Sequence, residues 1–92
     1  MDMELKDTIE MMQSADYKER FKAEYQQTKI RYEKLKAFNN KIEAAQATEG
    51  MKNAVDFPKH DCPFYLLREQ QRIMGEYLQV LEIRAEIEGI KL

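Results

Sequence analysis

Apolar residues recur at helical spacing in three stretches of this 92-residue chain. In the first stretch, residues 1–14, three of them follow the i, i+4, i+7 spacing of one helical face: Leu5, Ile9 and Met12. We therefore predict a short amphipathic helix. Asp16 comes next and Glu19 lies three positions later, the pattern of a capping box at the start of a second helix.

The second stretch, residues 16–47, is predicted to form the first long helix. Its seam alternates steps of four and three residues through Phe21, Tyr25, Thr28, Tyr32, Leu35, Asn39 and Ile42. This alternation keeps one side of a helix facing a partner for about six turns. We interpret Asn39 as a residue that sets the register of the helix pair, because polar residues at such positions commonly do so in coiled coils.

The third stretch, residues 62–89, is predicted to be the second long helix. Residues 48–61 precede it, show no period, and contain residues typical of turns: Gly50, Asn53 and Pro58. At 100° per residue, the apolar side chains of 62–89 cover an arc of about 180°. Such an arc is too wide for one partner helix, so its other side needs the amino-terminal helix, another subunit, or both.

These patterns predict an all-α protein with a single domain, residues 1–92. A short amino-terminal helix is followed by an antiparallel two-helix hairpin, and the hairpin is expected to oligomerise into a helical bundle. A chain of this length buries a smaller share of its surface than a larger domain does, which also favours a homo-oligomer.

Charge and composition change this picture little. The chain has 17 acidic and 15 basic residues, a net charge of -2, which points neither to a nucleic-acid-binding protein nor to a disordered acidic tail. Its apolar runs are only a few residues long, so neither a leader peptide nor a membrane span is predicted, and we expect a soluble intracellular protein. The single cysteine agrees with a reducing compartment.

His60 and Cys62 are the only histidine and cysteine, and they lie two positions apart. A zinc site needs three or four ligands, and a cysteine nucleophile needs a base and an oxyanion site. The sequence supplies neither set, so we predict no metal, no cofactor, no catalytic residue and no enzymatic activity. Pro63 directly follows Cys62, and the segment is interpreted as a helix start with Asp61 or Cys62 as the cap.

A lysine row on the first long helix is the strongest candidate for binding chemistry. Lys18, Lys22, Lys29 and Lys36 lie within an arc of about 40°, with Tyr25 and Tyr32 beside them. Such a row is commonly a solvated flank whose stems cover apolar surface. The functional reading is an anion pocket, in which aromatic faces hold a nucleobase and cations hold phosphates.

Arg84 and Gln70 interrupt the apolar arc of the second long helix, in line with Tyr77. An arginine at the edge of a subunit interface is commonly half of an ion pair, and it can also present a fork to a phosphate. The ligand-binding candidates are therefore Lys18, Lys22, Tyr25, Lys29 and Tyr32, with Arg84 contributed by a neighbouring subunit.

Two segments resemble a family of small proteins encoded by bacteriophages and prophages, including crAss-like phages and phages of Gram-positive bacteria. They are DYKERFKAEYQQTKIRYEKL, residues 16–35, and CPFYLLREQQRIMGEYLQVLEIRAEIEGIKL, residues 62–92. The chain departs from the family pattern at Thr28, where an aliphatic residue is usual. The resemblance implies a phage or prophage protein in the cytoplasm of an infected or lysogenic bacterium.

The predicted architecture is similar to that of phage anti-defence sponges, which sequester nucleotide signals of host immune systems. This similarity implies a homo-oligomer that binds a cyclic nucleotide or a cyclic ADP-ribose-type signal without catalysis. No membrane, DNA or RNA partner is expected. The alternative is a helical protein-interaction module, whose apolar surface binds a host or phage protein while the lysines keep it soluble.

Overall fold

The computed structural model describes residues 3–92, which form helices and connecting segments without any strand. A single 3₁₀ turn, Leu5–Thr8, leads into a one-turn helix, α1, Ile9–Met12. Two long helices follow: α2, Tyr17–Ala47, and α3, Phe64–Glu88. The all-α prediction is confirmed. Residues 1 and 2, which were included in the predicted first helix, lie outside the described residues.

Helix α2 begins as its sequence predicts, with one difference. The carboxylate of Asp16 accepts a 3.0 Å hydrogen bond from the backbone N–H of Lys18, which satisfies a free donor of the first turn. Glu19 does not complete the capping box, because its carboxylate pairs with the Lys22 ammonium at 3.2 Å. The backbone N–H of Asp16 donates instead to the hydroxyl of Ser14 at 3.0 Å.

The two ends of α3 are set by a proline and a glycine. Pro63 itself is the cap, in place of the predicted Asp61 or Cys62, and its carbonyl accepts from the backbone N–H groups of Leu66 and Leu67. Gly89 ends the helix at φ 69°, a left-handed conformation that a residue without a side chain adopts readily. Past this turn, the N–H of Ile90 donates to the carbonyl of Ala85 at 2.8 Å.

Helices α2 and α3 pack as an antiparallel hairpin. The start of α2 lies against the end of α3, where the buried cluster consists of Phe21, Tyr25, Leu78, Leu81, Ala85 and Ile90. Further along, the amide of Asn39 donates to the carbonyl of Leu67 at 3.1 Å and to the side chain of Gln71 at 2.9 Å. Asn39 therefore ties α2 to the first half of α3, in agreement with a structural role.

The amino-terminal segment packs on α2. Thr8 is fully buried, and its hydroxyl donates to the Leu5 carbonyl at 2.7 Å and accepts from the Gln27 amide at 2.9 Å. Among the described residues, neither the 3₁₀ turn nor α1 packs against α3. The amino-terminal helix was one of the two elements expected to cover the second side of α3. Within residues 3–92 it does not do so.

Candidate binding groove between the two long helices

Tyr32 and Gly75 face each other at the middle of the hairpin. A Cβ atom at position 75 would lie 3.3 Å from Cε1 of Tyr32 and 3.5 Å from its hydroxyl oxygen. The missing side chain therefore lets the tyrosine ring lie directly against the backbone of α3. A glycine inside a helix costs about 1 kcal/mol relative to alanine, so its presence here has a packing reason.

Two open cavities meet at this contact and form one groove, which we call the tyrosine groove. The first, of about 500 Å³, is lined by Tyr32, Tyr65, Arg68, Glu69, Gln71, Arg72 and Gly75. The second, of about 440 Å³, is lined by Lys29, Tyr32, Glu33, Gly75, Leu78, Gln79 and Glu82. Both volumes fall within the ~300–1,000 Å³ typical of ligand pockets.

Most of the α3 residues that line the tyrosine groove form one row. Steps of three, four, three, four and three positions connect Tyr65, Arg68, Arg72, Gly75, Gln79 and Glu82. Residues at such spacing share one face of a helix. Sequence reasoning followed the lysines and the apolar arc and missed Tyr65, Arg68 and Arg72. The spacing of polar and aromatic residues around an isolated glycine is the signal that could have found them.

Each guanidinium of the first cavity is held by carboxylates of the same chain. Arg72 donates to Glu69 at 3.2 Å and to Glu76 at 2.8 Å. The bond from Arg72 holds the pKa of the Glu69 carboxyl below its usual value. Arg68 contacts Glu43 at 2.6 Å, with its guanidinium 5.6 Å from the centre of the Phe64 ring. These ion pairs are exposed, so each contributes little to stability.

Of the residues that sequence reasoning selected, Lys29 and Tyr32 line the tyrosine groove. The Lys29 ammonium lies 5.7 Å from the centre of the Tyr25 ring. Tyr25 itself is only 5% exposed and donates to Glu82 at 2.6 Å. Burial and the bond to Glu82 raise the pKa of Tyr25 to about 12. Tyr25 thus supports the wall of the groove from behind.

The other selected residues lie away from this groove within one chain. Lys22 pairs with Glu19, and Lys18 is exposed near the start of α2. Neither lysine lines either cavity of the groove. Arg84, two positions after Glu82, points about 200° around the helix from it. The structure therefore brings together Lys29 and Tyr32 and separates them from Arg84.

Arg84 belongs to a second cluster, on the opposite side of the hairpin. Its guanidinium lies 5.1 Å from the centre of the Phe21 ring, donates to the Tyr17 hydroxyl at 2.6 Å and pairs with Glu88 at 3.1 Å. The Tyr17 hydroxyl donates to the other carboxylate oxygen of Glu88 at 3.0 Å, and this bond raises the pKa of Tyr17. The bond from Arg84 to Glu88 raises the pKa of Arg84. In this cluster Arg84 is half of an ion pair, one of the two roles considered for it.

His60 and Cys62 form a local contact in the segment before α3. The Nδ1 atom of His60 lies 2.6 Å from the carbonyl oxygen of Cys62, and the His60 ring packs edge-on to Phe38 at 5.9 Å between centres. Across residues 3–92, no three side chains of the metal-ligating types come together. No helix in that part of the chain is long and apolar enough to cross a membrane.

The protein is thus a helical hairpin with an open groove that is lined by aromatic rings, amides and paired cations. A family model described as Sequestin matches residues 15–87, which include all of α2 and all but the last residue of α3. The chain belongs to the Sequestin family. The family name indicates a protein that binds and holds its target without converting it chemically. Comparisons with curated proteins and with solved structures gave no match.

Proposed function

We propose that this protein is a phage-encoded anti-defence protein that binds and sequesters a cyclic nucleotide-type immune signal without catalysis. It acts as a homo-oligomer in the cytoplasm of the infected or lysogenic bacterium. Membership of the Sequestin family supports binding as the activity. The observation that carries the choice of ligand is the contact between Tyr32 and Gly75, which places an aromatic ring between two adjoining cavities.

The chemistry of the tyrosine groove suits a nucleotide with two parts. The rings of Tyr32 and Tyr65 offer faces on which nucleobases stack, and such stacking tolerates different bases. The amides of Gln71 and Gln79 offer donors and acceptors for base edges, one in each cavity. A cyclic dinucleotide or a cyclic ADP-ribose-type molecule carries base, ribose and phosphate groups close together, so it can occupy both cavities at once.

The arginines of the first cavity supply the cationic part of the proposed site. Arg68 and Arg72 present planar guanidinium groups, which match phosphate geometry better than an ammonium does. Their carboxylate partners lie at the exposed surface, where an ion pair costs little to separate. A phosphate can therefore replace Glu43 or Glu69 as the partner of a guanidinium, and Lys29 adds a cation at the other end of the groove.

Lys18, Lys22 and Tyr25 have secondary roles in this proposal. The two lysines continue the flank of Lys29 toward the start of α2 and raise the local positive potential. Tyr25 holds Glu82 and supports the groove wall through a buried bond. Arg84 lies on the opposite side of the same chain, so any contribution from it to a ligand comes from a neighbouring subunit.

The proposal is tested by the melting temperature of the purified protein with a panel of cyclic dinucleotides, cyclic trinucleotides and cyclic ADP-ribose isomers. We expect one class to raise it, because a ligand that binds only the folded state stabilises that state. Replacing Arg68 and Arg72 together by alanine is expected to weaken binding at least tenfold. Lys41→Ala removes an exposed cation outside both cavities and is the matched control.

Recovery of the ligand after denaturation separates sequestration from catalysis. The bound molecule is expected to be released with its mass unchanged, and a processed product would contradict a sponge. Unchanged melting of the wild type across the whole panel would exclude this ligand class.

The alternative function is a helical protein-interaction module, and the exposed apolar side chains of α3 are the observation that favours it. Capture from the bacterial lysate distinguishes the two functions. A stoichiometric protein partner without a bound small molecule would support the module. A bound nucleotide without such a partner would support the sponge.

A further inference from the structure

Helix α3 has an apolar row that stays largely exposed within residues 3–92. Its members, with their exposed fractions, are Leu66 45%, Ile73 51%, Tyr77 40%, Val80 52%, Ile83 53% and Ile87 78%. We call this row the apolar stripe. The amino-terminal segment packs on α2, and the buried cluster between α2 and α3 lies on a different side of α3. Helix α2 reaches the edge of the row at Tyr77, whose hydroxyl donates to Glu24. An apolar surface of this kind typically marks an interface.

The spacing of the apolar stripe is that of a helix seam. Leu66, Ile73, Val80 and Ile87 are separated by seven residues each, and at 1.5 Å per residue they extend over about 31 Å. Tyr77 fills the step between Ile73 and Val80, while Gln70 and Arg84 occupy the equivalent steps on either side. A seven-residue apolar repeat keeps one line of contact against a partner helix of the same period.

We propose that the apolar stripe is the interface with a second copy of this chain, in which the two α3 helices lie antiparallel about a two-fold axis near Glu76 and Tyr77. This inference describes the interface of the homo-oligomer in the proposed function, and it rests on that proposal. Because a two-fold interface uses the same surface on both chains, the stripe must be complementary to itself. Antiparallel pairing places Leu66 opposite Ile87 of the partner subunit, and Ile73 opposite Val80 of the partner subunit.

The charges beside the stripe determine the direction of pairing. Glu69 lies along its first half and Arg84 lies in its second half, whereas Glu76 lies at the proposed axis and is near its own copy in either direction of pairing. In a parallel pair, each of these residues meets its own copy, so carboxylate faces carboxylate and guanidinium faces guanidinium. In an antiparallel pair, Glu69 comes opposite Arg84 of the partner subunit. Like charges facing each other across an interface are costly, so the antiparallel arrangement is favoured.

This dimer leaves the tyrosine groove of each chain open. Gly75 lies about 200° around α3 from Ile73 and about 80° from Ile83 at the edge of the stripe. The centre of the groove therefore faces away from the centre of the stripe, while Tyr65 and Glu69 at the rim of the groove lie beside the stripe. Each dimer has two independent grooves and is expected to hold two ligand molecules. Arg84 lies at the dimer interface, opposite Glu69 of the partner subunit at the rim of that subunit's groove.

The first test is the mass of the ligand-free protein by sedimentation equilibrium. The wild type is expected to have twice the mass of one chain at micromolar concentration, and Val80→Glu is expected to have the mass of one chain with unchanged helical circular dichroism. Val55→Glu is the matched control, because Val55 is 45% exposed and lies in the connecting segment. A wild type that stays at the mass of one chain would overturn the proposal, whether or not another protein binds the stripe.

The second test measures orientation with the single cysteine of the chain. Cys62 lies just before α3 and is partly exposed, so a nitroxide attached to it reports the start of that helix. Antiparallel pairing predicts a distance of about 40 Å between the two labels, because each lies opposite residue 91 of the other chain. Parallel pairing predicts less than about 20 Å. A short distance in a dimer would overturn the antiparallel assignment.

The proposed interface and the proposed ligand binding fail separately. Both interface tests are carried out without ligand, so their failure leaves the nucleotide panel unaffected. The Arg68→Ala, Arg72→Ala double variant is expected to keep the dimer mass while losing binding, and Val80→Glu is expected to keep a groove that binds one ligand per chain.

Discussion

The two apolar faces of α3 contain the same types of residue and differ entirely in burial. Leu81 is fully buried and Leu78 is 6% exposed, whereas Val80 and Ile87 are 52% and 78% exposed. Leu81 and Val80 are adjacent in sequence. Their different burial comes only from the position of α2, which lies against one side of α3. Apolar character therefore predicts that a helix face will be covered. It does not predict which element or partner covers that face.

This difference has an energetic consequence. Burying a leucine or isoleucine side chain contributes about 1.5–3 kcal/mol. The inner face of α3 contributes this free energy within one chain, while the apolar stripe contributes only when something covers it. If a second copy does so, part of the stability depends on protein concentration, because association stabilises the folded state by mass action.

The largest expected effect on stability is that of truncating Leu81 on the inner face, compared with truncating Ile87 in the apolar stripe. Leu81→Ala is expected to lower the free energy of unfolding by about 2–5 kcal/mol, because it opens a cavity in the buried cluster. Ile87→Ala is its control and is expected to change the value by less than about 0.5 kcal/mol at concentrations where the protein is monomeric. Urea unfolding followed by circular dichroism measures both. An equal decrease in the free energy of unfolding for the two variants would show that Ile87 is buried within the single chain.

An intermediate effect is expected from the polar contact on the inner face. Tyr25→Phe removes the bond to Glu82 and is expected to lower the free energy of unfolding by about 1 kcal/mol at neutral pH. Because folding raises the pKa of Tyr25 to about 12 from its ordinary value of 10.0, the tyrosine's contribution is complete below pH 10 and is lost between pH 10 and 12.

Urea midpoints of the wild type and Tyr25→Phe between pH 8 and 12 test this contribution. The advantage of the wild type is expected to shrink as the pH rises through this range and to change sign near its upper end, because two pKa units correspond to about 2.7 kcal/mol. Comparing the two proteins cancels the effects of all groups that they share. A difference that stays constant up to pH 12 would mean that the Tyr25 phenol titrates alike in the folded and unfolded chain.

The smallest effect on stability is expected at the groove. Gly75→Ala gains up to about 1 kcal/mol of helix propensity, offset by the shift that a new Cβ at 3.3 Å forces on the Tyr32 ring. Since that ring borders open cavities, it can move outward. The free energy of unfolding is therefore expected to rise by 0 to about 1 kcal/mol. Ligand binding is expected to weaken, because the ring then occupies the groove.

Calorimetric titration and urea unfolding of the same sample separate these two effects. Glu86→Ala, at an exposed α3 position outside the groove, is the control for helix propensity. Unchanged affinity in Gly75→Ala would remove Tyr32 from the binding site. A decrease of more than about 1 kcal/mol in the free energy of unfolding of Gly75→Ala would mean that the Tyr32 ring is too tightly packed to move.

Local signals in the sequence predicted much of the fold. Asp16 caps α2, and the steps of four and three residues identified buried positions of α2 such as Phe21, Asn39 and Ile42. The candidate site was predicted only in part. Lys29 and Tyr32 line the groove, but Arg84 lies on the other side of α3, and the arginines on the opposite wall were missed.

The sequence by itself determined the helical class, the interruptions between helices and the unusual width of the apolar arc on α3. These properties depend on backbone bonds between residues four apart and on side chains projecting every 100°, which are local. The tertiary structure alone decided which part of the arc α2 covers, where the amino-terminal segment packs, and which side chains form a groove. These depend on contacts such as that of Tyr25 with Glu82, 57 positions away. Helical periodicity places residues around one helix and carries no information about where the neighbouring helix lies.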